Sequence, residues 1–557
     1  MITVELNEAN FEYDIHSLVK AFYPGHDVLV KAQPRENFPD SLFHLTVCYG
    51  ESEILFTFYR GKQWEENQKV PADPGAPEYT KESAGMPEQT EMILLQGRTQ
   101  VNPADRRETK DRLKRRLYEL LSDFCGQTLP WGTLTGIRPT KIPMTMLEDG
   151  CSEDEIRKHM KESYFASDEK IGLSIEVAER ELELLSRIDY ENGYSLYVGI
   201  PFCPSTCLYC SFASYPISAW KNRVDEYLDA LCREIEATAG LCKDKYLNAV
   251  YIGGGTPTSL EPAQLERLIC QIGESFHLFD EKKHIVYGGL EKDGDALISH
   301  GFDGNPQGEV HPMNHLLEFT VEAGRPDSIT REKLQVLRDH NISRISINPQ
   351  TMKEETLRLI GRHHTAQQTK ESFALAREMG FDNINMDLIV GLPEESIEDV
   401  KNTMEELMEM APDNVTVHSL AVKRAARLKM QWEEYEHLHM ENTWDIIRLT
   451  ADYCRRMGLE PYYLYRQKNM AGNFENVGYA ARGKAGVYNI LIMEEKQTIM
   501  ALGAGATTKV VTDHGQHIER VGNVKDITNY LERVDEMIER KANLLKKCGC
   551  SEAAEQL

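Results

Sequence analysis

SLYVGIPFCPSTCLYCSF, residues 195–212, runs from a short strand rich in β-branched and aromatic residues straight into a loop carrying Cys203, Cys207 and Cys210. Outward from it, short apolar runs alternate with longer amphipathic stretches. The runs are SLYVGI at 195–200, AVYIGG at 249–254, LLEFTVEA at 316–323, RISINP at 344–349, NINMDLIVG at 383–391 and VTVHSLA at 415–421. Between and after them, 222–239, 262–276, 330–340, 353–361, 366–379 and 396–410 have helical spacing and the length a crossover needs. This alternation predicts six βα units around a parallel sheet, which suits an incomplete barrel.

The flanks read differently. Residues 1–60 hold the strand-like runs DVLVKA, LFHLTVCY and EILFTFYR and predict a small β-rich or α+β unit. Residues 61–90, rich in Pro, Gly and charge, predict a linker or exposed loop, and 91–190 a helical region in which Leu113, Leu117 and Leu120 fall at helical spacing. The barrel is expected over 195–430, interrupted at 281–315 by a Gly-, Asp- and His-rich insertion. Its His300, His311 and His315 lack the tight spacing of metal ligands.

The 557 residues, 41% hydrophobic, are enough for a large buried core. Against 89 Asp and Glu stand 63 Lys and Arg, and a net charge of -26 argues against nucleic-acid binding through phosphate contacts. An anionic substrate needs a local basic pocket. No apolar run approaches the ~18 residues of a membrane span, and the start MITVELNEANFEYD is neither basic nor apolar, so a cytoplasmic protein without membrane contact is expected. The twelve cysteines then argue for metal, redox or buried thiols over a disulfide framework.

Three thiolates on one short loop can converge on a soft-metal centre, and a 4Fe-4S cluster held by three cysteines leaves one iron open to a non-protein ligand. The alternatives are a structural zinc site, which wants four ligands, and a grouping of core thiols. Taken alone, GGGTPT at 253–258 suits any phosphate or nucleotide, and Asp387 suits a helix cap. The G-x-G-x-x-G of a Rossmann site is absent.

LYVGIPFCPSTCLYCSF resembles the C-x3-C-x2-C motif of radical S-adenosylmethionine enzymes, in the version carried by oxygen-independent coproporphyrinogen III dehydrogenases (oxidases). The resemblance continues in order through YIGGGTPTSL at 251–260, FTVEAGRPDSIT at 319–330, RISINPQTM and GRHH within 344–364, NINMDLIVGLP at 383–393 and LGAGA at 502–506. Residues 1–190 resemble the divergent N-terminal part of a subgroup of that family. The implied fold is α/β: an open partial (β/α)6 barrel, a small α+β N-terminal domain, and an α/β C-terminal cap over 431–557 on the substrate side.

The resemblance also implies roles. Cys203, Cys207 and Cys210 would bind three irons of a 4Fe-4S cluster, with S-adenosylmethionine on the fourth beside Gly254, Gly255 and Thr256. Arg362 would pair with its carboxylate. Glu322, Gln350 and Asp387 would accept from ribose hydroxyls, while Tyr209, Ile389 and Ala421 pack around the cofactor. Tyr197 matches a catalytically important tyrosine of the family. Lys423, Arg424, Arg427 and Arg466 are candidates for substrate propionates. The implied reaction converts two propionates of coproporphyrinogen III to vinyls, in a monomer served by an electron donor such as flavodoxin or ferredoxin.

Two departures bear on the substrate. Phe212 stands where a further Cys is usual, and Gly199 where many relatives have His. Haem-chaperone relatives share Phe212, but their H-N-x-x-Y-W motif reads Glu475-Asn476-Val477-Gly478-Tyr479-Ala480 here, without the His and Trp. A haem-binding protein of that kind, and a radical methyltransferase or ring-opening enzyme acting on haem, are the alternatives.

Overall fold

The computed structural model describes residues 1–32, 41–61, 63, 93–136, 138–288, 314–423, 425–435, 437–467 and 474–550. Most of the expected linker at 61–90, most of the insertion with His300 and His311, and Arg424 lie outside the described residues.

The first of two compact units spans Met1–Ile175. Its strands β1 (Ile2–Leu6), β2 (Val28–Lys31), β3 (Phe43–Tyr49), β4 (Glu53–Arg60) and β5 (Ile93–Gln100) form one sheet in the order β2-β1-β3-β4-β5. β1 runs parallel to β2 and β3, and the helix Glu12–Phe22 supplies the crossover that a parallel β1–β2 pair requires. The helix Arg106–Cys125, capped by Asp105, puts Leu113, Leu117, Leu121 and Phe124 into one core with Ile2, Phe43 and Phe58. The rings of Phe43, Phe58 and Phe124 lie 5.0–5.6 Å apart. This corrects the expected division into a unit at 1–60 and a helical region at 91–190, because β5 and the helix after it complete the N-terminal core. ILLQGRTQ has little apolar alternation and no fully buried residue. Its extended form follows from pairing along β4, from Glu53↔Gln100 to Tyr59↔Ile93, a tertiary term invisible in local pattern.

The second unit spans Glu176–Leu557. Its main strands are β6 (Gly193–Ile200), β9 (Tyr246–Gly254), β10 (Asn314–Gly324), β11 (Arg344–Ile347), β12 (Ile384–Val390) and β13 (Asn414–Ser419); the two-residue strands β7 (Phe202–Cys203) and β8 (Tyr215–Pro216) pair with each other. The six are parallel neighbours in chain order, joined through helices such as Val224–Leu241, Pro262–Ser275 and Ala366–Glu378, as the alternation predicts. The C-terminal chain then adds β14 (Glu460–Tyr465) and β15 (Asn476–Ala480) beside β13, and β16 (Thr498–Leu502), β17 (Thr507–Thr512) and β18 (His517–Gly522) beside β6. Both ends of the parallel run are thus occupied, and the barrel stays open.

Strand residues alternate between two faces. One carries Leu196, Val198, Val250, Ile252, Val321, Ile345, Ile347 and Met386, all buried, and suits the crossover helices. The other carries Tyr197, Tyr251, Glu322, Arg344, Asp387 and His418. Between β15 and β16 the helix Val487–Glu494 lies against this second face, with Tyr488 stacked 4.6 Å from Tyr251. His315, at the start of β10, lies against the ring of Tyr246, 4.0 Å between centroids. No helix among the described residues is long and apolar enough to cross a membrane.

Candidate functional site

The cysteine loop hangs from the C-terminal end of β6 and is fixed by backbone contacts on several sides. Leu208 N donates to Ile360 O at 2.9 Å, Ser205 Oγ to Gly361 O at 2.9 Å, and Leu428 N to Leu208 O at 2.9 Å. Arg325, which forms a bidentate pair with Asp327, also donates from Nη1 to Ser205 O and Oγ. Leu208, Ile360, Ile389, Leu392, Leu420 and Leu428 make an apolar cluster that Tyr209 packs against. The loops after the first and sixth parallel strands therefore meet at the rim, although those strands are at opposite ends of the run.

Cys207 is buried, and Cys203 and Cys210 are partly exposed. Burial pushes the Cys203 thiol up to about 11, against the Thr256 hydroxyl that donates to its sulfur at 3.5 Å; burial raises Cys210 as well. Metal binding at these thiols would therefore release protons. Among the described residues no three His, Cys, Asp or Glu side chains converge as ligands of a single ion. A cubane makes a different demand, since each thiolate takes its own iron and the sulfurs ring a volume.

Beside the cysteines, β9 ends in a turn at Gly254, whose φ of 108° a side chain rarely adopts. Gly255 N donates to Ile200 O and Thr256 N to Phe202 O, both at 2.7 Å. A Cβ on Gly255 would lie 2.5 Å from Phe202 O and 3.0 Å from the Cys203 sulfur, so only glycine lets this backbone pass so near the thiol.

Three acceptors follow along the rim. Glu322 near the end of β10 takes the Tyr251 hydroxyl hydrogen bond, and burial, with the Asp387 charge nearby, pushes its carboxyl up to about 7. Gln350, beyond β11, holds a left-handed φ of 68°, costing about 1–2 kcal/mol. It is kept there by Gln350 N→Asp387 O at 3.0 Å and Ile389 N→Gln350 O at 2.9 Å. Its Oε1 is buried without a partner. On β12, burial would raise the Asp387 carboxyl, but His418, the Asn385 amide at 2.7 Å and the Arg344 charge outweigh it and hold it below the usual range. Arg362 donates to Tyr209 Oη at 3.3 Å and Asn348 O at 2.6 Å, leaving Nε buried without a partner. Tyr197 lies beside the stacked Tyr251–Tyr488 pair, its ring 6.3 and 6.5 Å from theirs, and its hydroxyl is 3.2 Å from where a Gly254 Cβ would stand.

The expected cluster, turn and rim residues thus come together at one end of the parallel strands, with Ala421 two residues beyond β13. The substrate candidates do not form one group. Arg427 Nη1 donates to Thr206 O at 3.4 Å and braces the cysteine loop. Lys423 lies over the Phe212 ring at 6.0 Å. Arg466 is buried, and desolvation lowers it to about 10 against the opposing pull of the Glu475 charge. Arg325, Arg344, Tyr251, Tyr488 and His418 were not singled out in the sequence. For Arg344 and His418 a signal existed: a charged or polar residue inside a β-branched run of a parallel sheet has no place on the helix-covered face.

Orphaned Arg362 Nε and Gln350 Oε1, the glycine cradle and the three thiols fit a cubane that carries S-adenosylmethionine. A parallel βα sheet with this cysteine loop and rim defines the class, and the chain belongs to the radical SAM superfamily, whose family model matches residues 197–407. Membership brings a 4Fe-4S cluster and S-adenosylmethionine as cofactors. Within the family the chain is HemZ-like. It is 37% identical over 431 residues, 77% of this chain and 79% of the relative, to the oxygen-independent coproporphyrinogen-III oxidase-like protein HemZ of Bacillus subtilis. It is 33% identical to the heme chaperone HemW of Bacillus subtilis over 41% of this chain and 51% of that protein. With the oxygen-independent coproporphyrinogen III oxidase of Salmonella typhimurium it shares 32% identity over 42% of each chain. The chain spans about half or less of the length of these last two relatives.

Proposed function

We propose that the protein is a radical S-adenosylmethionine dehydrogenase that converts two propionates of coproporphyrinogen III to vinyl groups, giving protoporphyrinogen IX for haem biosynthesis in the cytoplasm. The observation that carries this reading is the kinship with HemZ along most of both chains, ahead of the half-length match to the heme chaperone. Residues 475–480, where a chaperone would present His and Trp, support it: they are buried, Ser419 N donates to Asn476 Oδ1 at 2.8 Å and Ser419 Oγ to Glu475 O at 3.0 Å, so the stretch serves the sheet.

In this reading Cys203, Cys207 and Cys210 hold the cluster. The bound cofactors supply, after one-electron reduction by a donor such as flavodoxin or ferredoxin, a 5′-deoxyadenosyl radical able to take a hydrogen atom from carbon. Gly254, Gly255 and Thr256 would receive the methionyl end, and Arg362 would pair with its carboxylate. Glu322, Gln350 and Asp387 would accept from the ribose hydroxyls. Tyr197, Tyr251 and Tyr488 wall the inner face against water, and Ile389 on β12 and Ala421 beyond β13 do so at the rim. Each substrate propionate gives up a β-hydrogen atom, then carbon dioxide and one electron to an external acceptor, leaving the vinyl.

A haem-carrying role is the second reading, favoured by the exposed Phe212. Anaerobic incubation of reconstituted protein with S-adenosylmethionine, dithionite and either coproporphyrinogen III or haem, followed by mass analysis, separates the two. Decarboxylated tetrapyrrole supports the dehydrogenase. Stoichiometric haem binding with coproporphyrinogen untouched rejects it.

A further inference from the structure

The two most exposed large hydrophobic side chains among the described residues are Phe212, 71% exposed, and Met430, 64% exposed. They are more than 200 positions apart in sequence, yet both belong to the loops that meet at the rim. Phe212 follows the last cluster cysteine by two residues, and its backbone N–H donates to the Cys210 sulfur. Met430 ends the short helix Arg427–Met430, whose Leu428 is tied to Leu208 of the cysteine loop. The half-buried Lys423 reaches over the Phe212 ring at 6.0 Å, the outer limit of a cation–π contact, so this ring holds its ammonium only weakly. This rim is also basic against the trend of the chain: residues 423–429 carry four Lys or Arg and no acid, where acids exceed bases 89 to 63 overall.

An exposed aromatic face beside a cation, in an otherwise acidic protein, suits a flat, apolar, multiply anionic molecule. We propose that Phe212 and Lys423 are the substrate-recognition pair at the mouth of the site, Phe212 lying against a pyrrole ring and Lys423 pairing with a propionate of a carboxylate-bearing tetrapyrrole. The inference rests on the tetrapyrrole reading and deepens it. The aromatic side chain takes the place of the further cysteine of the related oxidases and puts a ring face next to the cluster loop. The substrate's edge is thereby brought over Cys210, where a propionate chain can reach the rim of the barrel.

The test uses reconstituted full-length protein, with iron content per chain as the measure of folding, and coproporphyrinogen III and its tetramethyl ester as probes. Phe212→Ala weakens binding of both probes by roughly tenfold, since it removes ring contact. Lys423→Gln weakens the tetra-acid by roughly tenfold and leaves the ester unchanged, and Lys423→Arg restores the acid. Equal affinities for both probes in wild type and both variants overturn the pair while leaving the tetrapyrrole reading intact. Wild type that binds neither probe overturns that reading and the pair together. Variants that keep full affinity but lose turnover only when reduced flavodoxin replaces dithionite show the patch to be an electron-donor dock, and the pair is rejected.

Discussion

The Nε2 of His418 on β13 stands 3.9 Å from Oδ1 of Asp387 on β12, and its Nδ1 is 3.4 Å from Tyr465 Oη on β14. One imidazole therefore ties the carboxylate assigned to the ribose to the strand that the C-terminal chain adds at the sheet edge. Removing it leaves only Asn385 and Arg344 to offset the burial of Asp387, so the carboxyl rises and protonates at higher pH. His418→Phe is expected to keep the cluster and weaken S-adenosylmethionine binding by roughly fivefold, with a larger loss at the acid end of the pH range than at the alkaline end. Equilibrium dialysis across that range checks it. A loss of equal size at every pH contradicts the electrostatic role.

Glu322 titrates at the other end of the rim. With its carboxyl raised to about 7, it is neutral below that pH and ionised above it, and only the ionised form accepts ribose hydroxyls at full strength. Cofactor affinity should climb between about pH 6 and 8, and Glu322→Gln should flatten the climb. For folding the sign is opposite. A carboxyl whose folded pKa is raised loses stability as pH rises from its ordinary value through about 7, because the unfolded chain ionises first. A pH–affinity curve unchanged in Glu322→Gln would assign the titration to another group.

Gly255→Ala tests the cradle. The added carbon would stand 2.5 Å from Phe202 O and 3.0 Å from the Cys203 sulfur, so backbone or thiol must move. The variant should fold, by circular dichroism, and take up less than half the iron of wild type, while Cys203→Ala, Cys207→Ala and Cys210→Ala take up no cluster. Full incorporation in any of the three cysteine variants, or equal loss in Cys548→Ala, contradicts the ligand assignment.

The buried pair of Lys541 and Glu234 fixes the C-terminal helix Val534–Lys547 to the helix Val224–Leu241. Glu234 also accepts from Gly503 N at 2.8 Å and Tyr530 Oη at 2.6 Å. Lys541→Met strands a buried carboxylate and should cost about 3 kcal/mol, the low end for a broken buried pair because those other donors remain. Denaturant midpoints read this directly. A loss below about 1 kcal/mol would equate the pair with a surface one.

How much of this was legible in the sequence follows from where the information resides. The six βα units were legible because each strand repeats one local pattern, and the cysteine loop because the three thiols lie within eight residues. β5 was not, since ILLQGRTQ is a strand only through β4. Nor was the C-terminal chain's division between both edges of the sheet, which depends on pairings such as Val415↔Tyr479 and Ala501↔Tyr197 across long sequence separations. At the rim, Glu322, Gln350 and Asp387 stood out through their motif. The partners that tune them, Tyr251, His418 and Arg344, sit inside strand runs where local reading assigns packing. Arg466 stands out in the sequence by its charge and its place in PYYLYRQKN, and its burial beside Glu475 is a tertiary fact.

The central claim, radical decarboxylation of a tetrapyrrole propionate, is tested most directly by coproporphyrinogen III deuterated at the propionate β-carbons, incubated anaerobically with reconstituted protein, S-adenosylmethionine and dithionite. The account predicts one deuterium in each 5′-deoxyadenosine formed and a vinyl-bearing tetrapyrrole in step with it. Deoxyadenosine free of deuterium, with the tetrapyrrole recovered unaltered, would contradict it.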